Sequence, residues 1–244
     1  MDQNTYLNKT VGEIVKDNYQ TAEVFKKFNI DFCCGGKVKI DEACSANNIP
    51  IDELTNALVE AENYAGSDTE KKFKDWDPDF LASYIVNVHH KYVRDNIPLL
   101  SEFTQKIAHV HGGRHPELIQ IAELFQAVSS ELQHHMMKEE NILFPYIQRL
   151  QAAYKNKSSI GPSPFGTVRN PIAMMEMEHD NAGSLLKQIR QLSDNYSLSE
   201  DACSTYTVTF KKLDEFENDL HQHIHLENNI LFPSAIELEE NLTG

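Results

Sequence analysis

One segment of this chain occurs twice, and the repeat limits the available folds more than any other feature. The eleven residues 135–145 match residues 223–233, and seven of the eleven positions are identical. The two copies lie 88 residues apart in a chain of 244. A duplicated pair of helices should pack about a pseudo-twofold axis, which would bring the two copies face to face.

The spacing of apolar and helix-breaking residues predicts an all-α protein. Gly (10) and Pro (9) are sparse, and the long amphipathic segments lie near 78–108, 116–150, 171–194 and 199–240. Segments of this length predict an up-down four-helix bundle over residues 77–244. Residues 1–60 are expected to form a small helical domain, and the polar, charged residues 61–76 a linker.

Charge and hydropathy exclude several classes of partner. A net charge of −15 leaves no surplus of cations to replace the counterions of a nucleic acid, so we expect no nucleic-acid partner. No apolar run approaches the ~18 residues of a membrane span, and the polar N-terminus lacks a signal pattern. We therefore expect no membrane association and a cytoplasmic location. A domain of about 60 residues has a marginal core, so a homodimer is a further expectation.

Each copy of the repeat contains a histidine and a glutamate four residues apart, His135 with Glu139 and His223 with Glu227. Residues i and i+4 of an α-helix share one face, so both side chains of a pair can reach one metal ion. Imidazole together with carboxylate suits iron, manganese or zinc. Two facing helices would supply two histidines and two bridging carboxylates.

The other two helices of the bundle should supply the missing ligands. His179 lies 44 residues before His223, and His89 lies 46 residues before His135. These near-equal separations place His89 and His179 at equivalent positions in the two halves of the repeat.

His90, at 45 residues before the first copy, is the alternative to His89. A helical stripe of Ile85, His89 and Tyr92 would point His89 inward, whereas a rival stripe begins at Val86 and contains His90; we favour His89. Iron is preferred to zinc because histidine-rich, carboxylate-bridged pairs suit dioxygen or nitric oxide chemistry, although manganese or a mixed pair is also compatible. The predicted centre holds two iron ions, joined by an oxo or hydroxo bridge, with the ligands His89, His135, Glu139, His179, His223 and Glu227.

Two further carboxylates lie next to predicted ligands. Glu131 is one helical turn before His135, and Glu178 directly precedes His179. Either could line an access path to the centre or orient a ligand.

A pair of adjacent cysteines, Cys33 and Cys34, is followed by two glycines on a loop after a predicted helix. Thiols on such a loop are exposed to oxidation and metal capture, which favours a functional role. They could receive or pass on a metal ion, exchange electrons as thiolates, or bind nitric oxide.

These motifs resemble the iron–sulfur cluster repair di-iron proteins, also called the repair of iron centres family, over essentially the whole chain. The Asp-Phe-Cys-Cys-Gly-Gly segment at 31–36 looks like the signature of the family's N-terminal domain. Segments 135–140, 178–180 and 223–233 look like its hemerythrin-like domain. The resemblance implies a hemerythrin-like bundle behind a small N-terminal domain. It carries the family's cysteines onto Cys33 and Cys34 and its metal ligands onto His89, His135, Glu139, His179, His223 and Glu227.

The resemblance also implies a cytoplasmic stress protein that repairs iron–sulfur clusters after oxidative or nitrosative damage, by donating iron. Damaged iron–sulfur proteins would be its clients, and nitric oxide or O2 its small ligands. Hemerythrin uses five histidines where only four are matched here, which favours a more open and labile site. Two alternatives stay open: a di-iron oxidoreductase that acts on nitric oxide or nitrite, and a di-iron sensor of O2 or NO. The sequence does not decide whether the chain is an enzyme.

Overall fold

The structure, a computed structural model, describes residues 6–64 and 73–243. Over these residues the secondary structure is helical, apart from one isolated β-bridge between Thr10 and Lys39. The predicted all-α fold class is confirmed. Within the same ranges no helix has the length and apolar character needed to cross a bilayer.

Residues 6–64, here called the N-terminal unit, contain four short helices: α1 (Val11–Asp17), α2 (Thr21–Lys27), α3 (Ile40–Asn47) and α4 (Ile51–Tyr64). α1 begins at a capping box, in which Thr10 Oγ1 accepts from the backbone N–H of Glu13 and Glu13 Oε2 accepts from the N–H of Thr10. This satisfies two N–H groups that would otherwise lack partners. A 3₁₀ turn at Gly35–Lys37 joins α2 to α3.

α4 continues to residue 64, four residues into the predicted linker, while a 3₁₀ turn at Phe73–Asp75 precedes the bundle. Residues 65–72 of the predicted linker lie outside the described residues. The domain division at 60 and 77 therefore stays a prediction.

Four long helical segments follow, and three of them contain a π-helical turn. The first half comprises α5 (Pro78–Ile85), a π turn (Val86–His90), α6 (Lys91–His111), α7 (Glu117–Lys138), a second π turn (Glu139–Leu143) and α8 (Phe144–Asn156). The second half comprises α9 (Arg169–Leu192), α10 (Ser204–Leu226), a third π turn (Glu227–Leu231) and α11 (Phe232–Thr243). These segments match the four predicted ones to within a few residues at each end.

The second and third π turns occupy the same place in the two copies of the repeat. Each is followed by a proline, Pro145 or Pro233, at the start of the next helix. Proline has no N–H, so the ordinary i→i−4 hydrogen bond cannot form at that position. A π turn accommodates this break and is often found at functional sites.

The apolar core of the bundle is divided into two clusters by a polar layer. Val93, Leu132 and Leu220 belong to the cluster that continues into the N-terminal unit. Ile85 and Leu143 belong to the cluster at the opposite end. Charged groups between two apolar clusters lose most of their hydration, so they must be paired or bind an ion.

The N-terminal unit packs against the second half through its loop between α2 and α3. The Phe32 ring lies 5.9 Å from the ring of His221 and 6.1 Å from that of His225. Lys37 Nζ lies 2.7 Å from Glu176 Oε1 at the edge of the same contact. The two cysteines are thereby placed against the bundle.

Candidate metal centre

Six buried side chains from the four long helical segments meet in the polar layer. Each half supplies three of them, and each is 3% exposed or less: His90, His135, Glu139, His179, His223 and Glu227. The two copies of the repeat face each other, so both carboxylates lie among the four imidazoles.

One group of four joins His90 and His223 to both carboxylates. Nε2 of His90 lies 3.1 Å from Nε2 of His223 and 3.3 Å from Oε2 of Glu139. Nε2 of His223 lies 3.0 Å from Oε1 of Glu227. The group takes one histidine and one glutamate from each half.

The second group joins His135 and His179 to the same two carboxylates. Nε2 of His179 lies 3.0 Å from Nε2 of His135 and 3.1 Å from Oε2 of Glu227. Nε2 of His135 lies 3.2 Å from Oε2 of Glu139. Because both groups share Glu139 and Glu227, the arrangement could hold two ions with the carboxylates between them.

The carboxylate oxygens fit a positively charged ligand. Both carboxylates are fully buried. Oε2 of Glu139 and Oε2 of Glu227 approach imidazole nitrogens at 3.1 to 3.3 Å, but among the described residues neither these atoms nor Oε1 of Glu139 accepts a hydrogen bond of good geometry. Leaving a buried carboxylate uncompensated costs several kcal/mol. Imidazole nitrogens and carboxylate oxygens together are common ligands of iron, manganese and zinc. The chemistry of the donor set therefore fits a pair of metal ions.

In three of the four histidines, Nδ1, the ring nitrogen that faces away from the centre, contacts an oxygen of a neighbouring side chain. The Nδ1-to-oxygen distances are 2.7 Å for His90 to Glu140, 3.0 Å for His135 to Glu178 and 2.8 Å for His179 to Asn228. A hydrogen on Nδ1 donates to that oxygen and leaves the Nε2 lone pair free to bind a metal ion.

The site's charges change the pKa values of its own groups. Burial lowers the pKa of His90, but interactions with Glu139 and Glu227 outweigh burial and raise it to about 10. Burial also lowers the pKa of His135, but the charge of Glu139 outweighs burial and raises it to about 9. Burial and the charge of Glu227 raise the pKa of Glu139, but the histidines lower it to about 2. Protons and metal ions thus compete for the same nitrogens.

The expectation that His89 points into the centre is corrected by the structure, which places His90 there. His89 is buried beside the centre, with Nδ1 3.0 Å from Oδ1 of Asp219 and its ring stacked 5.7 Å from that of His223. The π turn Val86–His90 inserts an extra residue, and this shifts the register from the α-helical spacing on which the prediction rested.

A cleft of about 720 Å³ opens onto one side of the centre and is lined by His135 and His179. Glu131 and Glu178 line the same cleft. Glu131 accepts a hydrogen bond of 2.7 Å from Asn181, and Glu178 contacts the first of the two histidines. Both glutamates lie beside a possible access path, as predicted, and Glu178 also contacts a predicted ligand. Their functional roles stay a prediction.

Two phenylalanines from the repeat cover imidazoles elsewhere in the centre. The Phe144 ring stacks 5.7 Å from the ring of His90, and the Phe232 ring stacks 6.0 Å from that of His179. Apolar rings in these places exclude water and strengthen electrostatic interactions inside the layer.

Cys33 is buried and Cys34 partly exposed, and their Sγ atoms are 3.9 Å apart. Sγ of Cys33 also lies 3.2 Å from Oδ1 of Asp31, and the three residues form a group that could hold a metal ion. The hydrogen bond to Cys34 and burial raise the pKa of Cys33, so its neutral thiol is favoured. Sγ of Cys34 approaches α9, since a Cβ on Gly183 would lie 3.6 Å from it.

Sequence reasoning missed the residues that follow the two central glutamates. Glu140 and Asn228 occupy the same position of the repeat, and each contacts the Nδ1 of a central histidine. They were missed because only the identical positions of the repeat were considered, and these two positions differ between the copies.

Residues 81–235 match the family described as the Hemerythrin HHE cation binding domain, and residues 7–62 match ScdA_N, a domain of unknown function. The first match spans more than half of the chain. Together with the buried His/Glu cluster, it defines a hemerythrin-like, cation-binding class of helical-bundle protein.

Relatives narrow the class. Iron-sulfur cluster repair protein YtfE of Edwardsiella ictaluri is 34% identical over 235 residues, covering 95% of this chain and 98% of that protein. YtfE of Musicola paradisiaca is 35% identical over 231 residues, covering 95% and 97%. A probable iron-sulfur cluster repair protein of Haemophilus influenzae is 31% identical over 235 residues, covering 95% and 98%. This chain belongs to the iron–sulfur cluster repair protein family, which confirms the resemblance found in its motifs.

Proposed function

We propose that this chain repairs damaged iron–sulfur clusters by donating iron held between the two halves of its bundle. The observation that carries the proposal is the pair of His/Glu groups that share Glu139 and Glu227. Relatives that cover 95% of the chain are named as cluster repair proteins, which supports damaged iron–sulfur proteins as its clients.

The proposed ligands follow from the two groups. His90 and His223 would hold one iron ion, and His135 and His179 would hold a second, with both carboxylates available to each. When bound, iron supplies a redox-active ion that also serves as the cargo of repair. The carboxylates offset the charge of both ions in the apolar surroundings.

The surrounding residues hold the ligands and provide a route outward. Glu140, Glu178 and Asn228 orient the imidazoles, and the phenylalanine rings keep water away. The second group borders the cleft lined by Glu131 and Glu178, whose carboxylates attract a departing cation. Cys33 and Cys34 offer soft ligands on a nearby loop, with release of the Cys33 proton when a metal ion binds.

Three further expectations belong to this proposal. Nitric oxide or O2 as a small ligand fits a site that opens to a cleft. A cytoplasmic location fits a chain with two adjacent free thiols. A homodimer stays a prediction from the small size of the N-terminal unit.

Iron transfer to a damaged enzyme tests the proposal. The chain is loaded anaerobically with ferrous iron and mixed with a [4Fe–4S] enzyme whose cluster was degraded by nitric oxide, with sulfide, a reductant and a strong ferrous chelator as trap. We expect the enzyme to regain activity with up to two irons lost per chain. His90→Ala should abolish most of this recovery, whereas Asn141→Ala, at an exposed position, should leave it unchanged.

Two outcomes would contradict iron donation. One is iron that stays on the chain while the client stays inactive. The other is catalytic consumption of nitric oxide, at many turnovers per iron pair and without client recovery, which would support the oxidoreductase alternative.

A further inference from the structure

Two consecutive amides, Asn228 and Asn229, lie between the metal centre and the cysteine loop. Both belong to the π turn that starts at Glu227. Asn228 is only 6% exposed. Oδ1 of Asn228 lies 2.8 Å from Nδ1 of His179, and its Nδ2 lies 3.4 Å from the carbonyl oxygen of Cys33. One side chain thus contacts both a central histidine and the backbone of the cysteine loop.

The chemistry of these contacts has one consistent orientation. The carbonyl of Cys33 can only accept a hydrogen bond, so Asn228 must turn its NH2 group toward it. The amide oxygen then faces Nδ1 of His179, which must carry the hydrogen. The Nε2 lone pair of His179 is therefore directed into the centre, in the form that binds a metal ion. The docked loop selects the tautomer of His179 through Asn228.

The neighbouring amide fixes the position of the loop. Nδ2 of Asn229 lies 3.4 Å from the carbonyl oxygens of both Phe32 and Cys33. Its Oδ1 fits a notch between two glycines, since a Cβ on Gly12 or Gly36 would lie 2.4 Å or 2.6 Å from it. A larger residue at either place would force the amide of Asn229 out of this notch.

The matching position of the first half lacks this link. Glu140 accepts from Nδ1 of His90 as Asn228 does from His179, but a carboxylate has no hydrogen to donate to a carbonyl. The second bond to Glu140 comes instead from Arg94 near the surface. The amide at position 228 is thus the feature that joins the centre to the cysteine loop.

We infer that Asn228 is a positioning residue that couples metal binding by His179 to docking of the cysteine loop, a link that rests on the proposed metal centre. An ion on Nε2 of His179 stabilises the tautomer that the docked loop requires. Coupling between two sites is reciprocal, so bound metal must stabilise the docked loop to the same extent. The thiols are thereby held in place when iron is present and released more easily when it has left.

Hydrogen exchange of the loop measures this coupling without any assay of repair. The full chain carries Cys33→Ser and Cys34→Ser, so that the thiols cannot bind iron themselves. Exchange of the amides in 31–37 is followed by mass spectrometry with and without ferrous iron under anaerobic conditions, and iron content is measured in the same samples. We expect iron to slow this exchange about fivefold or more, a typical strength of coupling between sites.

Asn228→Asp separates the two bonds of the amide. Aspartate can still accept from Nδ1 of His179, so we expect two irons per chain, but it cannot donate to Cys33 and the effect of iron on the loop should vanish. Asn141→Ala, at an exposed position of the first half whose amide bonds only the Met137 carbonyl, is the control and should keep both the iron and the slowed exchange.

The outcomes separate this inference from the proposed function. Two irons per chain with unchanged loop exchange, or protection that survives Asn228→Asp, would overturn the coupling and leave the metal centre intact. A chain that binds no iron at all would overturn both.

Discussion

The two halves of the bundle present the same kinds of ligand to the centre but differ in what stands behind them. In the first half, Nδ1 of His90 contacts Glu140, which Arg94 also binds at the surface. In the second half, Nδ1 of His179 contacts Asn228, which faces the N-terminal unit. The repeat preserves the proposed metal ligands, whereas the next residue differs: Glu140 is partly exposed to solvent and Asn228 is covered by the N-terminal unit.

A second difference concerns the backbone. The first half has a π turn at Val86–His90, while α9 carries His179 on a regular α-helix. His90 is 45 residues before His135, and His179 is 44 before His223, although the loops between the paired helices differ in length. The extra residue is absorbed inside the helix, and both histidines still reach the centre.

Removal of a shared carboxylate should have the largest effect on the amount of bound iron. It would also test whether the two halves contribute equally to iron binding. Each glutamate belongs to both groups, so Glu139→Ala or Glu227→Ala alone should reduce the bound iron from about two per chain to nearly none. Iron content after anaerobic loading and desalting measures this. Asn141→Ala controls for handling losses. If one variant kept two irons, that carboxylate would not lie between the ions.

Replacement of one of the two adjacent histidines, His89 or His90, should have the next largest effect on iron content. His90→Ala removes a nitrogen 3.1 Å from that of His223 and should lower the iron content to one per chain or less. His89→Ala removes a ring whose Nδ1 contacts Asp219, and iron should stay near two. The same iron analysis compares the two variants. If His89→Ala lost iron and His90→Ala kept it, the ligand in the first half would be His89 and not His90.

These two histidines also show how far sequence reasoning reaches. The repeat and the i,i+4 pairs led to the bundle and to His135, Glu139, His223 and Glu227, because those features depend only on helical geometry. The structure brings His90, rather than the predicted His89, into the group of six because a π turn changes the spacing locally, and α-helical periodicity does not reveal it. Asn228 escaped notice because its partner, the Cys33 carbonyl, is a backbone atom 195 residues away, which no side-chain pattern records.

The asparagines two positions after the central glutamates, Asn141 and Asn229, should have a smaller effect, on stability. Asn229→Ala would remove bonds to the Phe32 and Cys33 carbonyls and to His225, and should cost about 1–3 kcal/mol of unfolding free energy. Asn141 occupies the same place in the first half and bonds only the Met137 carbonyl, 2.7 Å away within its own helix, so Asn141→Ala should stay within about 0.5 kcal/mol.

Urea unfolding of the two metal-free variants, followed by circular dichroism, gives both free energies under the same conditions. Equal effects would mean that docking of the N-terminal unit adds nothing at position 229, and the difference between the halves would then be confined to the ligands.

The smallest expected effect lies at the far end of the bundle, where the halves meet through charges. Nε2 of His115 lies 3.0 Å from Oδ1 of Asp201, and this hydrogen bond raises the pKa of His115 above its ordinary value of 6.5. Because the pKa of His115 is higher in the folded state, the protonated side chain stabilises the fold. This stabilisation is fully present below pH 6.5 and is lost as the pH rises through the raised pKa. His115→Gln should therefore lower the urea midpoint slightly at pH 6 and not at all well above the raised pKa. Salt should weaken the difference, because both groups are solvent-exposed. A difference that grew with pH would mean that packing, rather than charge, joins the halves at this end.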